Sequence, residues 1–258
     1  MQERQADGSA GDANYAVVGR GYSHYRQPDP RIAAAVTQAL GDAQSVLNVG
    51  AGSGSYEPID RSVVAVEPSA SMRAQRAPHL APAVDAVAEH LPFSDRQFDA
   101  GLASFTVHQW KDVRAGLSEL RRVTRGVVVV LTCDPITVED FWLNDYAPAV
   151  LSTEARRFPS INLIASALGG KATVLDVPIP LDCCDGFNEA YFGRPERLLD
   201  PGARRVCSAW SFPEAALIER YVEHLSRALQ SGEWDEKHGA LRTQPWYSGS
   251  LRLIVSQP

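Results

Sequence analysis

The chain holds little that would tie it to an oxidising compartment, a membrane or a nucleic acid. Its four cysteines, Cys133, Cys183, Cys184 and Cys207, form no C-x-x-C pair and suggest no disulfide framework. No apolar run is long enough to span a bilayer, and no signal-peptide pattern is visible. A reduced cytoplasm is therefore the expected location, with no membrane partner. Basic clusters are also missing. The formal net charge is −6, and Arg121-Arg122 and Arg204-Arg205 are short pairs of the kind found on solvated surface. Nucleic-acid binding usually demands a basic face, so it is disfavoured. Histidines and aspartates are scattered without ligand spacing, and no zinc or magnesium site is expected. There is no internal repeat or low-complexity tract. Oligomeric state is not legible.

What the chain does have is enough apolar sequence for a sizeable core, 45% of its 258 residues, in one large domain or a core with a smaller cap. One stretch stands out. Val46-Leu47-Asn48-Val49-Gly50-Ala51-Gly52-Ser53-Gly54, followed by Ser62-Val63-Val64-Ala65-Val66-Glu67, reads as a buried strand, a glycine turn and a second strand ending in an acid. Glycine gives positive φ and a surface without side chains, so a ligand can approach the backbone. An acid at the tip of the next strand can take both hydroxyls of a ribose. Spacing separates the candidate nucleoside cofactors. The dinucleotide fingerprint G-x-G-x-x-G needs a glycine where this chain has Ser55, whereas Gly50, Gly52 and Gly54 alternate.

Joined to Glu67-Pro68-Ser69-Ala70-Ser71-Met72 and to Ala88-Glu89-His90-Leu91-Pro92-Phe93-Ser94-Asp95-Arg96-Gln97-Phe98-Asp99-Ala100, this pattern resembles the class I S-adenosylmethionine-dependent methyltransferases. The likeness is to their small-molecule, type 11 branch, particularly one common in actinobacteria, and it covers about residues 15 to 132. Two departures stand beside it. Family members usually carry an acid where this chain has Asn48, and only Ser55 to Arg61, interrupted by Pro58, separates the turn from the second strand. The helix after the motif is therefore expected to shrink to about one turn.

Along the chain, a short helix is expected over 14–25. Asp29-Pro30 then starts an Ala-rich helix that runs to Leu40 and stops at Gly41. Strands are expected at 45–49, 62–66, 83–87, 98–105, 127–131, 171–177 and 251–255, with helices at 70–76 and 112–123 and a mainly helical stretch over 138–168. That alternation predicts a mostly parallel α/β sheet covered on both faces. The resemblance implies a Rossmann-like seven-stranded methyltransferase sheet, order 3-2-1-4-5-7-6 with strand seven antiparallel, under a mainly helical cap. Residues 1–12 read as a disordered tail and 13–28 as a lid segment. Residues 29–258 read as the methyltransferase domain, with cap insertions at about 138–168 and 180–248.

The resemblance also implies site residues. Backbone amides of Gly50, Ala51, Gly52 and Gly54 would meet the methionyl part of S-adenosylmethionine, and Glu67, followed by Pro68, would take the ribose. Met72 would pack on the adenine face or sit in the core. Ala88 and Glu89 would read the adenine edge. Val87 stands where Asp is common in the family, so one of the family's adenine interactions is not expected here. Ser104, ending the fourth strand, would offer a carbonyl to the cofactor's amino group. Tyr15, Tyr22 and Arg26 match a lid pattern, with Arg26 set to pair with the cofactor carboxylate or simply to cover the surface. His108 is the catalytic candidate because its ordinary pKa lies near neutrality, with positioning or structural roles as alternatives. Phe141, Trp142, Tyr146, Tyr191, Phe192 and Trp246 would line an apolar pocket or form a cap core. Asp182-Cys183-Cys184-Asp185 could suggest metalloid chemistry but reads better as packing thiols, with Asp185 a weak candidate for touching substrate. The expected activity is methyl transfer from S-adenosylmethionine to oxygen, nitrogen or carbon of a small molecule, such as a secondary metabolite. A non-catalytic cofactor-binding partner protein and a nicotinamide oxidoreductase are the alternatives.

Overall fold

In a computed structural model, residues 7–9, 11–13 and 21–258 are described. Tyr15 and residues 14–20 of the expected first helix lie outside them. The helix is seen as α1, Tyr22–Tyr25. Next comes α2, Pro30–Leu40, where the Asp29 carboxylate accepts from the Arg31 amide and Pro30 takes the first helical position. Its inward residues Ile32, Val36 and Leu40 repeat every four, and Gly41 at φ +56° ends it.

The strands are β1 Ser45–Val49, β2 Ser62–Val66, β3 Ala83–Val84, β4 Ala100–Ser104, β5 Val128–Cys133 and β6 Lys171–Asp176, then the two-residue β7 Ile179–Pro180 and β8 Trp246–Tyr247, and finally β9 Leu251–Gln257. The main sheet runs β3-β2-β1-β4-β5-β9-β6. Its first five strands are parallel, and β9 lies antiparallel to both β5 and β6. The expected topology is therefore present, with the strand expected as seventh counted ninth because the small β7–β8 ribbon precedes it. Residue alternation sorts the two faces. Val128 and Val130 of β5 face one core with Leu47, Val49 and Ile254, while Val129, Leu131 and Cys133 face the other with Val46, Leu102 and Leu253. The first core is closed by α4, Val113–Val123, and α6, Ile161–Leu168, which lie side by side. A short α3, Ala70–Arg73, follows β2.

Three local expectations need correction. No helix follows the glycine turn, since residues 51–61 are turns and bends. Tyr56 in the left-handed region (φ +62°) and Pro58 both prevent a helical turn from closing there. Strand β3 stops after two residues because Ala86, Val87 and Ala88 turn inward and are buried. Helix α6 covers the sheet beside α4 rather than joining the cap expected over 138–168.

The cap is built from α5, Pro148–Arg157, α7, Pro201–Arg205, α8, Ala215–Ser231, and α9, Glu233–His238, with short 3-10 turns between them. Its core is aromatic. Trp142 donates its indole N–H to the Phe192 carbonyl at 2.9 Å, stands edge-on to Trp234 and packs near Tyr146. Each fully buried side chain of this kind contributes about 1.5–3 kcal/mol of apolar transfer.

Candidate active site

The site forms where β1 and β4 end, at the point where strand order reverses. A cavity opens there. Gly50, Ala51, Gly52, Ser53 and Ser55 line one side, with Glu67, Pro68, Met72, Ala88, Glu89 and Ser104 across from them. Tyr22 and Arg26 close it from the lid segment. Of the residues predicted to hold a cofactor, only Gly54 is off the wall. It has φ +104°, and a Cβ there would lie 2.1 Å from Leu80 Cδ1, so its bareness makes room for Leu80.

The turn works differently from expectation. The amides of Gly50 and Ala51 both donate to the Val66 carbonyl at 2.9 Å, that of Gly52 to Glu67 Oε2 at 2.8 Å, and that of Gly54 to the Ala51 carbonyl at 2.8 Å. These donors are spent inside the protein. The turn presents surface without side chains rather than N–H groups for a ligand.

Glu67 accepts one amide on each carboxylate oxygen, from Ser69 at 2.8 Å and from Gly52. An ionised carboxylate offers about four acceptor positions, so two remain, the number that a ribose diol needs. Burial raises its pKa, while the two amides and the more distant Arg73 and Arg76 hold it down. Beneath the turn, Asn48 donates to Glu57 Oε1 at 3.1 Å, and Glu57 accepts both contacts from Arg76 Nη2, at 2.9 and 2.8 Å. A buried acid thus stands beside residue 48 after all, carried nine residues later by Glu57.

Gln109 was missed as a site residue. Its side-chain amide is buried in the wall of this cavity, and neither its nitrogen nor its oxygen has a partner among the described residues. The 3-10 turn Val107–Gln109 puts Val107 in the core and sends its neighbours to different places. Gln109 reaches the first cavity, and His108 lines a second, smaller one. Tyr22, Arg26 and Phe105 line both cavities and form the wall between them. Phe105, at φ +50°, occupies the left-handed region that a bulky residue enters only when held there. The guanidinium of Arg26 lies 5.1 Å from its ring centroid, and Phe187 packs on it at 5.3 Å.

Arg26 is not free to clamp a ligand carboxylate as expected. Its Nε and Nη2 meet the two oxygens of Asp185 at 2.6 and 3.4 Å, and Tyr56 donates to the same carboxylate at 2.8 Å. Asp185, a weak candidate for touching substrate, lines neither cavity; it fastens the lid segment to the cap. Tyr25 does the same through Asp200 at 2.9 Å. From the segment expected as a tail, Ser9 and Gly11 line the first cavity, and Asp12 pairs with Arg157 at 2.7 Å.

The second cavity is walled by Phe158, Phe187, Glu154, Arg157, Asn188 and Cys207 as well as His108. None of the six aromatic residues expected around a pocket is among them. Phe141, Trp142, Tyr146, Tyr191 and Phe192 are buried in the cap, and Trp246 is 46% exposed. His108 packs at a tilt against Phe158, ring centroids 4.6 Å apart, its Nδ1 has no partner among the described residues, and burial, with Arg157 and Arg26 nearby, lowers its pKa to about 3. It is neutral at ordinary pH. Cys207 donates to the Gly186 carbonyl and its thiol is pushed up to about 12 by burial. Cys183 is buried and Cys184 exposed, and neither lines a cavity, which leaves the paired-thiol reading without a site.

The sheet order, the glycine turn and the acid at the tip of β2 are those of the Rossmann-like fold of class I S-adenosylmethionine-dependent methyltransferases, to which this chain is similar. The comparisons agree. Residues 47–130 match the methyltransferase domain family. A demethylmenaquinone methyltransferase of Mycolicibacterium paratuberculosis is 32% identical over 127 residues, covering 48% of this chain and 54% of that protein. Matches to the curated relatives span only 37% and 54% of their lengths. Among solved structures, an Anabaena variabilis protein described as a methyltransferase from an antibiotic biosynthesis pathway is 28% identical with a TM-score of 0.82, over 90% of this chain and 98% of that one. The [4+2]-cyclase SpnF shares the fold, with a TM-score of 0.54 and 15% identity over 94% of this chain and 93% of its own.

Proposed function

We propose that the protein binds S-adenosylmethionine in the glycine-lined cavity and transfers its methyl group to a small molecule held in the second cavity. The observation that carries this reading is the common wall: Tyr22, Arg26 and Phe105 face both spaces, so two ligands can meet there. The residues fit the cofactor. Gly50 and Gly52 line the cavity without side chains, Glu67 keeps two acceptor positions for a diol, and Gln109 holds an orphaned amide. When bound, S-adenosylmethionine supplies an electrophilic methyl on a sulfonium, so the cofactor carries the hard chemistry.

The protein's own residues then have to orient and exclude water. Glu67, Met72, Ala88 and Glu89 fix the nucleoside end, with Pro68 beside them. The lid segment, fastened by Arg26–Asp185 and Tyr25–Asp200, covers the junction. Orientation of this kind can lower a barrier by about 7–11 kcal/mol. A neutral imidazole with a pKa near 3 is a poor proton acceptor at neutral pH, so His108 is assigned to holding the acceptor rather than to removing its proton. The similarity to the Anabaena variabilis protein supports a small-molecule acceptor, a secondary metabolite among the possibilities.

Calorimetry with S-adenosylhomocysteine tests the reading. Glu67→Ala is expected to weaken binding by at least about tenfold, since hydrogen bonds to a charged group contribute about 1.5–3 kcal/mol each. Unchanged affinity would remove the ribose assignment. Methyl-labelled cofactor incubated with a small-molecule extract is expected to label that fraction; label confined to protein or nucleic acid would overturn the choice of acceptor.

A further inference from the structure

The second cavity is lined by one acid, Glu154, which forms no direct ion pair among the described residues. Arg26 is taken by Asp185 in a two-point contact, with both side chains nearly fully buried. Arg157 is taken by Asp12, Nε and Nη2 each meeting one carboxylate oxygen at 2.8 and 2.7 Å, while its Nη1 donates to Ser208. His108 is neutral. Burial holds the Cys133 and Cys207 thiols protonated. That leaves Glu154. Among the described residues its hydrogen-bond partner is Asn188, whose Nδ2 donates to Oε2 at 2.8 Å. Asn188 is itself fixed, because Trp210 donates to its Oδ1 at 3.0 Å. The chain Trp210–Asn188–Glu154 therefore orients the carboxyl through Oε2.

A carboxyl in such a place is destabilising unless a donor or a cation meets it. Burial raises the Glu154 pKa, against Asn188 and the coulombic effect of Arg157 and Arg26. Phe105, Phe158 and Phe187 supply aromatic wall, beside Val206 and Ser208. Ring faces attract cations. A carboxylate at one side and aromatic rings around it suit one kind of guest.

We infer that Glu154 is the anchor for an organic ammonium group on the methyl acceptor, a compact amine whose apolar part packs on Phe158 and Phe187. The inference rests on the reading of this cavity as the acceptor site. His108 Nδ1, which has no partner among the described residues, then meets a second polar group of the same molecule. The ammonium is the handle rather than the nucleophile, because a protonated nitrogen has no lone pair for the methyl.

The test uses three probes that differ in charge: 2-phenylethylammonium, 2-phenylethanol and 3-phenylpropionate. Each is titrated into the full-length protein with and without S-adenosylhomocysteine. The ammonium is expected to bind roughly tenfold or more tightly than the alcohol, with the carboxylate weakest. Glu154→Gln is expected to abolish that preference while the alcohol and S-adenosylhomocysteine bind as before. Equal affinity for the three probes, or a preference that survives Glu154→Gln, overturns the inference. The wild-type ranking decides the matter even if the variant folds poorly. S-adenosylhomocysteine that fails to bind would count against the cofactor reading, and the probe ranking would still decide the role of Glu154.

Discussion

Gly50→Ala is the sharpest probe of how the glycine turn and the segment after β4 depend on each other. A Cβ at residue 50 would lie 1.9 Å from Thr106 Oγ1, 2.7 Å from its Cβ and 2.9 Å from its Cγ2. The residue also has φ +70°, where an L side chain costs about 1–2 kcal/mol. Forcing the methyl against Thr106 adds about 1–3 kcal/mol of overpacking. Together these predict a loss of about 2–5 kcal/mol, a large share of the roughly 5–15 kcal/mol typical of a domain. Urea unfolding at constant slope would read it. Thr106→Gly removes the atoms in conflict and leaves the φ cost untouched. The double variant should therefore recover about 1–3 kcal/mol relative to the sum of the single ones. Because Thr106 leads into the turn that carries His108 and Gln109, S-adenosylhomocysteine affinity should fall in Gly50→Ala and partly return in the double variant. Additive effects of the two substitutions, or a neutral Gly50→Ala, would refute the steric argument.

Two titration predictions follow from burial. The His108 imidazole, with its pKa lowered to about 3, should show no NMR titration between about pH 5 and 8. A midpoint near the ordinary histidine value, about 6.5, would reinstate it as a base candidate. Glu189 accepts the amide and hydroxyl of Ser250, and burial, aided by Glu154, raises its pKa from 4.5 to about 7. Between those values the unfolded chain releases a proton that the folded protein keeps. Its contribution is thus complete below about pH 4 and is lost as pH rises through about 7, on the order of 3 kcal/mol. Glu189→Gln should flatten that part of the stability–pH curve, and an unchanged slope would show that other groups cause it.

The sheet and the cofactor cavity are largely readable in the sequence, and the reason is physical. β1, β4 and β5 are buried on both faces, so they appear as mainly apolar runs, interrupted by Asn48 and Thr132, and the glycine turn needs positive φ, which glycine adopts at least cost. Glu67 is readable because its place is fixed one step beyond a strand. The acceptor side is not. Its walls come from Phe105, the end of α5, a loop at 187–188 and residues 206–208, which meet only through the cap. The one local signal is Glu154 and Arg157, three apart on α5, with Phe158 at its extended C-cap. The aromatic residues that draw notice, Trp142 and Phe192 foremost, are conspicuous because a cap of short helices needs large side chains to hold it together. Arg26 is recognisable as a lid residue, but Asp185, 159 positions away, decides what its guanidinium touches.

The chain departs from the methyltransferases it resembles in the local geometry after β1. With no helix after the turn, no helix dipole faces the cofactor, and the amides of the turn are engaged in holding Val66 and Glu67. Positive charge near the carboxylate end of the ligand cannot come from Arg26 either, since Asp185 takes its fork. Affinity must then come from shape, from Glu67 and from groups such as Gln109. That places unusual weight on the three-residue turn 107–109, where adjacent side chains serve two cavities. A rigid turn anchored by fully buried Val107 ties the position of His108 to that of Gln109. The strained Phe105 that precedes this segment lines both cavities, together with Tyr22 and Arg26.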